Sequence, residues 1–301
     1  MSTTSPLRLR LPATSANLGP GFDALGLAME LFLDIEAEPA ETFSIQADGR
    51  DAELVGSLKS NLILDTYREL APSAPALRLK ILNKIPLGMG CGSSAAALLA
   101  GVFFANHFGA LGLSAEEVLE EACVREGHPD NVAACFYGGL TVSAMHGRRV
   151  TTAVFVAELP WRLVLVLPRS SLATSEARAL LPESYSRADA VQNIQATALL
   201  VAAFAQNRPE LLAEATRDRL HQPYRLQACP LLERLLPMAG EPGVFSVTLS
   251  GAGPSVLLII SEGLSAGLLQ QRIAAAAGST EIEVVMTRIC LTPARVMIPV
   301  A

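Results

Sequence analysis

No Cys-x-x-Cys pair occurs in this sequence. Its five cysteines (Cys91, Cys123, Cys135, Cys229, Cys290) are odd in number and far apart. That spacing excludes a disulfide framework and a structural zinc site, and it fits the reducing cytoplasm. Charge is sparse as well: Asp, Glu, Lys and Arg make up 17% of the 301 residues, with a net charge of −6. The arginines are scattered, so we expect no nucleic-acid surface. A long apolar run is also missing. Val244 to Ser261 is uncharged but broken by Gly251-Ala-Gly-Pro254, and the run after Ser94 is interrupted by Asn106-His107. Neither is expected to cross a membrane as a helix. Met1 to Pro12 lacks an apolar core of signal-peptide length, so we expect no secretory leader. No internal repeat is present.

What the sequence does have is a glycine-rich stretch, Ile85-Pro-Leu-Gly-Met-Gly-Cys-Gly-Ser-Ser-Ala-Ala-Ala97. Gly88, Gly90 and Gly92 permit backbone conformations closed to side chains and let other groups approach closely. Ser93 and Ser94 stand where a helix begins, and the free N–H groups of a helix N-terminus attract phosphate. The two standard phosphate-loop patterns do not fit. The Walker pattern needs Gly-Lys-Ser/Thr, and no lysine lies between Lys84 and the end of this helix. The dinucleotide fingerprint needs a glycine where Ser93 stands. The spacing alone leaves two readings, an anion-binding loop or a tight turn from strand to helix.

Leu7 to Leu11 alternates leucine with arginine, the period of a half-buried strand, and Pro12 should end it. Ala13 to Gly26 then reads as a loop of small residues carrying Asn17 and Asp23, either as turn formers or facing a substrate. Strands are expected at 31–37, 42–47 and 77–82, and a helix at 61–70. Ser114-Ala-Glu-Glu is a capping box, starting a helix that Gly127 stops. The composition shifts near residue 155, which divides the chain into 1–155 and 156–301. Trp161, the single tryptophan, belongs to a core or to the domain boundary. Helices at 187–206, 209–221 and 230–238, strands at 244–249 and 255–259, a helix at 264–277 and a strand at 282–287 complete an α+β pattern. Glu126-Gly-His-Pro-Asp-Asn131 gathers polar and ionisable groups at a loop. His128 alone would be an ordinary structural histidine, but in this company a proton- or metal-binding site is the better reading.

Three stretches then stand in order: Pro12 to Gly26 (PATSANLGPGFDALG), the glycine-rich loop, and Val247 to Ser255 (VTLSGAGPS). Together they resemble the motifs of the small-molecule kinases that include galactokinase, homoserine kinase, mevalonate kinase and phosphomevalonate kinase. The first motif, Glu126 to Val132, Thr174 to Arg178 and Asp218 to Arg225 resemble the homoserine kinases within that superfamily. The resemblance implies ATP-dependent phosphorylation of the side-chain hydroxyl of L-homoserine with Mg²⁺, in threonine synthesis. It also implies a two-domain α+β homodimer, with a ribosomal-S5-like N-terminal half and a ferredoxin-like C-terminal half.

The resemblance also implies roles for individual residues. Pro86, Leu87, Gly88, Met89, Gly90, Cys91, Gly92, Ser93, Ser94, Ala95 and Ala96 would wrap the ATP phosphates, with Asn61 at the adenine. Ser93 and Glu126 would serve Mg²⁺, with Glu120 an alternative to Glu126. Asn17, Asp23, His128, Asp130, Asn131, Arg178 and Arg225 would form the homoserine pocket, the arginines on its carboxylate. Asp130, Asn131 and Arg178 would act in catalysis. Asp130 could take the hydroxyl proton or bind the substrate ammonium; Asp130 and Asn131 would orient the hydroxyl, with proton transfer directly to phosphate as the competing route. Two positions depart from the family pattern, Cys91 and Ala134. Cys91 reads either as a reactive thiol near a helix N-terminus or as a small apolar substitute. Rival readings are a kinase of the same fold acting on another alcohol, and a non-catalytic ligand sensor.

Overall fold

The computed structural model describes residues 5–278 and 281–297, which build two sheets. Six strands of the first are β1 (Leu7–Asn17), β2 (Gly21–Ala40), β3 (Ser44–Gly49), β4 (Ala76–Asn83), β5 (Leu140–His146) and β6 (Arg149–Phe155). Leu7, Leu9 and Leu11 are buried while Arg8 and Arg10 are exposed, as alternation requires. Pro12 does not end this strand. The β1–β2 ladder absorbs it at a register shift between Pro12 and Ala13 and runs on to Asn17↔Gly21. The segment expected as a loop from Ala13 to Gly26 is therefore a hairpin, with only Leu18 to Pro20 outside the strands. Asn17 and Leu18 carry its reversal in left-handed conformations, φ 68° and 48°. Besides β1, β2 is long enough to serve two further partners, β5 through Leu25–Leu27 and β4 through Leu33–Ala40.

Helices α1 (Ala52–Val55), α2 (Leu62–Leu70), α3 (Ser93–Phe108), α4 (Ala115–Glu126) and α5 (Asp130–Tyr137) belong to this half. α3 is apolar on all sides and accordingly buried, packed among β1, α2, α4 and α5. The capping box at Ser114 forms as expected, and Gly127 closes α4 in a left-handed C-cap. Gly26 has a packing role. A Cβ there would lie 2.1 Å from the Asp130 carbonyl oxygen, so only glycine lets α5 sit this close to β2.

The second sheet has the order β10-β7-β9-β8, with β7 (Trp161–Leu167), β8 (Val244–Leu249), β9 (Val256–Ser261) and β10 (Glu283–Thr287). Helices α6 (Thr174–Ala179), α7 (Arg187–Ala205), α8 (Leu212–Ala215), α9 (Gln222–Arg225) and α10 (Pro230–Leu235) connect β7 to β8, and α11 (Ala266–Ala277) connects β9 to β10. This is the ferredoxin-like β-α-β-β-α-β arrangement. The helix expected at 209–221 does not form as one piece. A short 3₁₀ turn and α8 end at Ala215, and the Asp218 carboxylate then accepts backbone N–H bonds from Leu220, His221 and Gln222. Such local side-chain bonding competes with a continuing helix. Trp161 is buried edge-on against Phe204, in a core shared with the first sheet. The last strand, β11 (Arg295–Met297), returns to the first sheet and pairs with Arg8–Arg10 of β1, a return that the 1–155/156–301 division does not foresee. Among the described residues no helix is long and apolar enough to cross a membrane.

Candidate active site

The site begins with backbone. Gly88, Gly90 and Gly92 are all left-handed (φ 67°, 72° and 70°), so the loop bends at every second residue. The other two glycine-containing stretches press against it. The Thr14 N–H of β1 donates to the Cys91 carbonyl at 3.0 Å, and the Ser250 hydroxyl donates to the Gly90 carbonyl at 2.7 Å. Ser250 also meets Ser15, the Gly251 N–H donates to the Ala16 carbonyl, and Asn17 Nδ2 donates to the Gly251 carbonyl. A Cβ at Gly90 would lie 2.1 Å from the Ser250 carbonyl oxygen, and one at Gly92 would lie 1.8 Å from Thr14 Oγ1. Residues far apart in the chain thus hold one loop in one shape, which delivers its chain into the N-terminus of α3.

A cleft of about 420 Å³ opens over this loop. Its apolar wall comes from Leu54, Val55, Leu62 and Ile63 of α1 and α2; its polar wall comes from the end of α4, the loop that follows and the first turn of α5, and from α6 and α9. At the start of α3, the Ser94 hydroxyl donates to Glu126 Oε2 at 2.8 Å. Burial raises the pKa of Glu126 above the ordinary carboxyl value, and nearby Asp130 adds to this. The Ser94 bond and the positive charges of His128 and Arg178 oppose it.

Asp130 is almost fully buried. Its Oδ1 accepts from the Asn131 N–H at 2.7 Å and Asn131 Nδ2 at 3.3 Å, and pairs with His128 Nδ1 at 2.6 Å. All three reach the same oxygen. Asn131 is oriented in turn by the Thr14 hydroxyl, which donates to its Oδ1 at 2.7 Å. Burial disfavours the charged form of His128, but the Asp130 hydrogen bond and the charges of Asp130, Glu126 and Asp23 outweigh it, so its pKa is raised.

Two arginines face this cluster from the second half of the chain. Arg178 grips Asp23 with both ends of its guanidinium, at 2.6 and 3.1 Å. Asp23 is itself set by its N–H bond to Asn17 Oδ1. Arg225 is buried and donates through Nε to the Ala177 carbonyl at 3.1 Å and through Nη1 to His221 Nδ1 at 2.9 Å. Both guanidiniums lie near the Phe22 ring, at 5.4 and 5.7 Å from its centre.

Family models recognise both halves of the chain: GHMP kinases N terminal domain over residues 61–139 and GHMP kinases C terminal over 200–279. The homoserine kinase of Solibacter usitatus is 45% identical over 268 residues, covering 87% of this chain and 88% of that protein. That of Synechocystis is 38% identical over 260 residues, 84% and 85% of the two chains. The chain belongs to the GHMP kinases, among the homoserine kinases. The crystal structure of homoserine kinase from Cytophaga hutchinsonii shares the kinase fold at a TM-score of 0.81 and 23% identity, over 99% of both chains.

The kinase brings most of the expected residues to one cleft. Asn17, Asp23, His128, Asp130, Asn131, Arg178 and Arg225 all line it, as do Leu87, Gly88, Gly90, Gly92, Ser93 and Ser94. Of the two candidate glutamates, Glu126 lines the cleft. Glu120 instead accepts the Val150 N–H of β6. Three placements differ from expectation, and the choice left open at Cys91 is decided. The hydroxyl that meets Glu126 belongs to Ser94, not Ser93. Asn61 borders the cleft, but its Oδ1 caps α2 and its Nδ2 bonds the Val55 and Ser57 carbonyls, so its polar atoms are already engaged. The Cys91 side chain is fully buried, and burial pushes its thiol up to about 12, which removes the reactive-thiol reading. Pro86, Ala95 and Ala96 are buried under the loop, and Met89 packs against the core beside it. Sequence reasoning missed Thr14, Phe22 and Ser250. The only signal for them was their place inside the two flanking motifs.

Proposed function

We propose that this homoserine kinase transfers the γ-phosphate of ATP to the side-chain hydroxyl of L-homoserine within this cleft. The observation that carries the reading is the meeting, in one cleft, of a glycine-loop helix N-terminus with a polar cluster and two arginines from the other half of the chain. ATP phosphates would lie against the N–H groups of Gly88 to Ser94 and the positive end of α3, which attract an anion without a lysine. The apolar wall of Leu54, Val55, Leu62 and Ile63 suits the base of the nucleotide. Ser94 and Glu126 would hold Mg²⁺. A hydroxyl and a half-buried carboxylate oxygen 2.8 Å apart are the hard donors such an ion prefers. When bound, that ion neutralises phosphate charge.

The amino acid's ammonium group would face Asp23, and its carboxylate would face Arg178 and Arg225. Its hydroxyl would be oriented by Asn131 and by Asp130 Oδ2, the oxygen left over from the three bonds to Oδ1. Phosphoryl transfer depends on positioning and charge neutralisation more than on a strong base. We therefore assign Asp130 and Asn131 the orientation of the hydroxyl, with its proton passing to the phosphate. Asp130→Asn tests this assignment through the pH–rate profile and the solvent isotope effect. A loss confined to KM supports orientation. A loss of kcat that removes the acidic limb of the profile makes Asp130 the base instead. The five free, buried cysteines fit work in a reducing cytoplasm.

A further inference from the structure

One buried side chain that the proposed chemistry does not use has its protonation state dictated by its neighbours. His221 precedes α9 and is fully buried. Its Nε2 lies 2.8 Å from the carbonyl oxygen of Gly19, in the β1–β2 turn, and its Nδ1 lies 2.9 Å from Arg225 Nη1. A carbonyl can only accept a hydrogen bond and a guanidinium can only donate. The ring must therefore carry its one proton on Nε2 and offer the lone pair of Nδ1 to Arg225. A second proton would set N–H against N–H and place two cations in contact. Burial lowers the His221 pKa; Asp218 opposes this and Arg225 reinforces it.

The two arginines of the site consequently differ. Arg178 has its charge balanced by Asp23. Arg225 is held by two neutral acceptors, the Ala177 carbonyl and His221 Nδ1, and by the face of Phe22, which also stacks on His221 at 5.3 Å. A carboxylate in place of His221 would cancel the charge of Arg225 and compete with an incoming anion. A neutral imidazole fixes the guanidinium and leaves its charge for the ligand.

We infer that His221 is a positioning residue: as the Nε2–H tautomer it locks Arg225 so that the free edge of the guanidinium meets the carboxylate of the bound amino acid. This rests on Arg225 being the carboxylate contact, as proposed above. Two variants separate the two ends of the ring. His221→Gln keeps a donor near Nε2 for Gly19 and removes the acceptor for Arg225. His221→Asn keeps an acceptor near Nδ1 and removes the donor.

We expect His221→Gln to raise the KM for homoserine roughly tenfold or more, from the loss of one bond to a charged group, with the KM for ATP unchanged. His221→Asn should stay within about threefold of the parent KM while melting at a lower temperature, since one bond to a charged group is kept and one neutral bond is lost. Added to Arg225→Ala, His221→Gln should cost nothing more. Equal effects of the two His221 variants on KM, or additivity with Arg225→Ala, would overturn the inference. Imidazole ¹⁵N NMR of the ligand-free protein, which holds four histidines, reads the tautomer without any substrate. A proton on Nδ1 at the resonance that His221→Gln removes would overturn the inference by itself, whereas a parent enzyme inactive on homoserine would overturn only the reading it rests on.

Discussion

Gly92→Ala probes the contact between the phosphate loop and the first hairpin. At φ +70° an alanine costs about 1–2 kcal/mol of left-handed strain, offset by roughly 0.4–1 kcal/mol of lost freedom in the unfolded chain. Its Cβ would also fall 1.8 Å from Thr14 Oγ1, a hydroxyl committed to Asn131 Oδ1 at 2.7 Å. Turning that hydroxyl away leaves a buried carbonyl unpaired, for about 1–3 kcal/mol. The sum is a destabilisation of about 1–5 kcal/mol, together with a weaker KM for ATP and a displaced Asn131. Gly112→Ala supplies the control: its φ is +72° and nothing lies within 4 Å of its Cβ, so it carries the strain alone and should cost about 0–1.6 kcal/mol. Urea unfolding of the two variants, with ATP titrations of each, measures the difference. In a Thr14→Ala background, Gly92→Ala should cost little more than the control. Equal costs for Gly92→Ala and Gly112→Ala in the parent protein would refute the argument that the loop is held by the hairpin.

Other consequences can be tested separately. Glu126→Gln should lower kcat by about 10²–10³, the scale of removing one preorganised electrostatic group, and should raise the Mg²⁺ concentration needed for half-maximal rate. Ser94→Ala should show the same Mg²⁺ shift and Ser93→Ala should not. Arg178→Lys loses the two-pronged bond to Asp23 and should raise the KM for homoserine while leaving that for ATP. The pKa of His128 is raised in the folded protein, so its contribution to stability is fully present below its ordinary value near 6.5. That contribution is lost as the pH rises through the higher folded value. Asp130→Asn should remove this pH dependence, as read by unfolding between pH 6 and pH 9. Cys91, with its thiol pushed up to about 12 by burial, should resist alkylation in the native protein with or without ATP and react on unfolding.

Much of this was legible in the sequence because it is local. Ser114 and Glu117 announce the start of α4, Gly127 its end, and the alternation of Leu7, Leu9 and Leu11 the inward face of β1. The order of the three glycine-containing motifs identified the superfamily and hence both halves of the fold. What stayed hidden depends on partners far along the chain. Pro12 punctuates a strand in isolation, but β2 accepts it at a register shift. Ser93 and Ser94 are equivalent in a string of letters, and only the position of Glu126, 32 residues on, selects Ser94. Asn61 carries polar atoms suited to a purine, yet its own loop consumes them. His221 sits in a recognisable motif, but its tautomer follows from Gly19, more than 200 residues earlier.

The central claim is tested most directly by incubating the parent enzyme with ATP, Mg²⁺ and L-homoserine and following the products by ³¹P NMR. We expect a phosphate monoester on the homoserine oxygen to form one-for-one with ADP, and neither mevalonate nor galactose to replace homoserine. Release of inorganic phosphate alone, or an ester formed on mevalonate or galactose but not on homoserine, would contradict the assignment of this cleft.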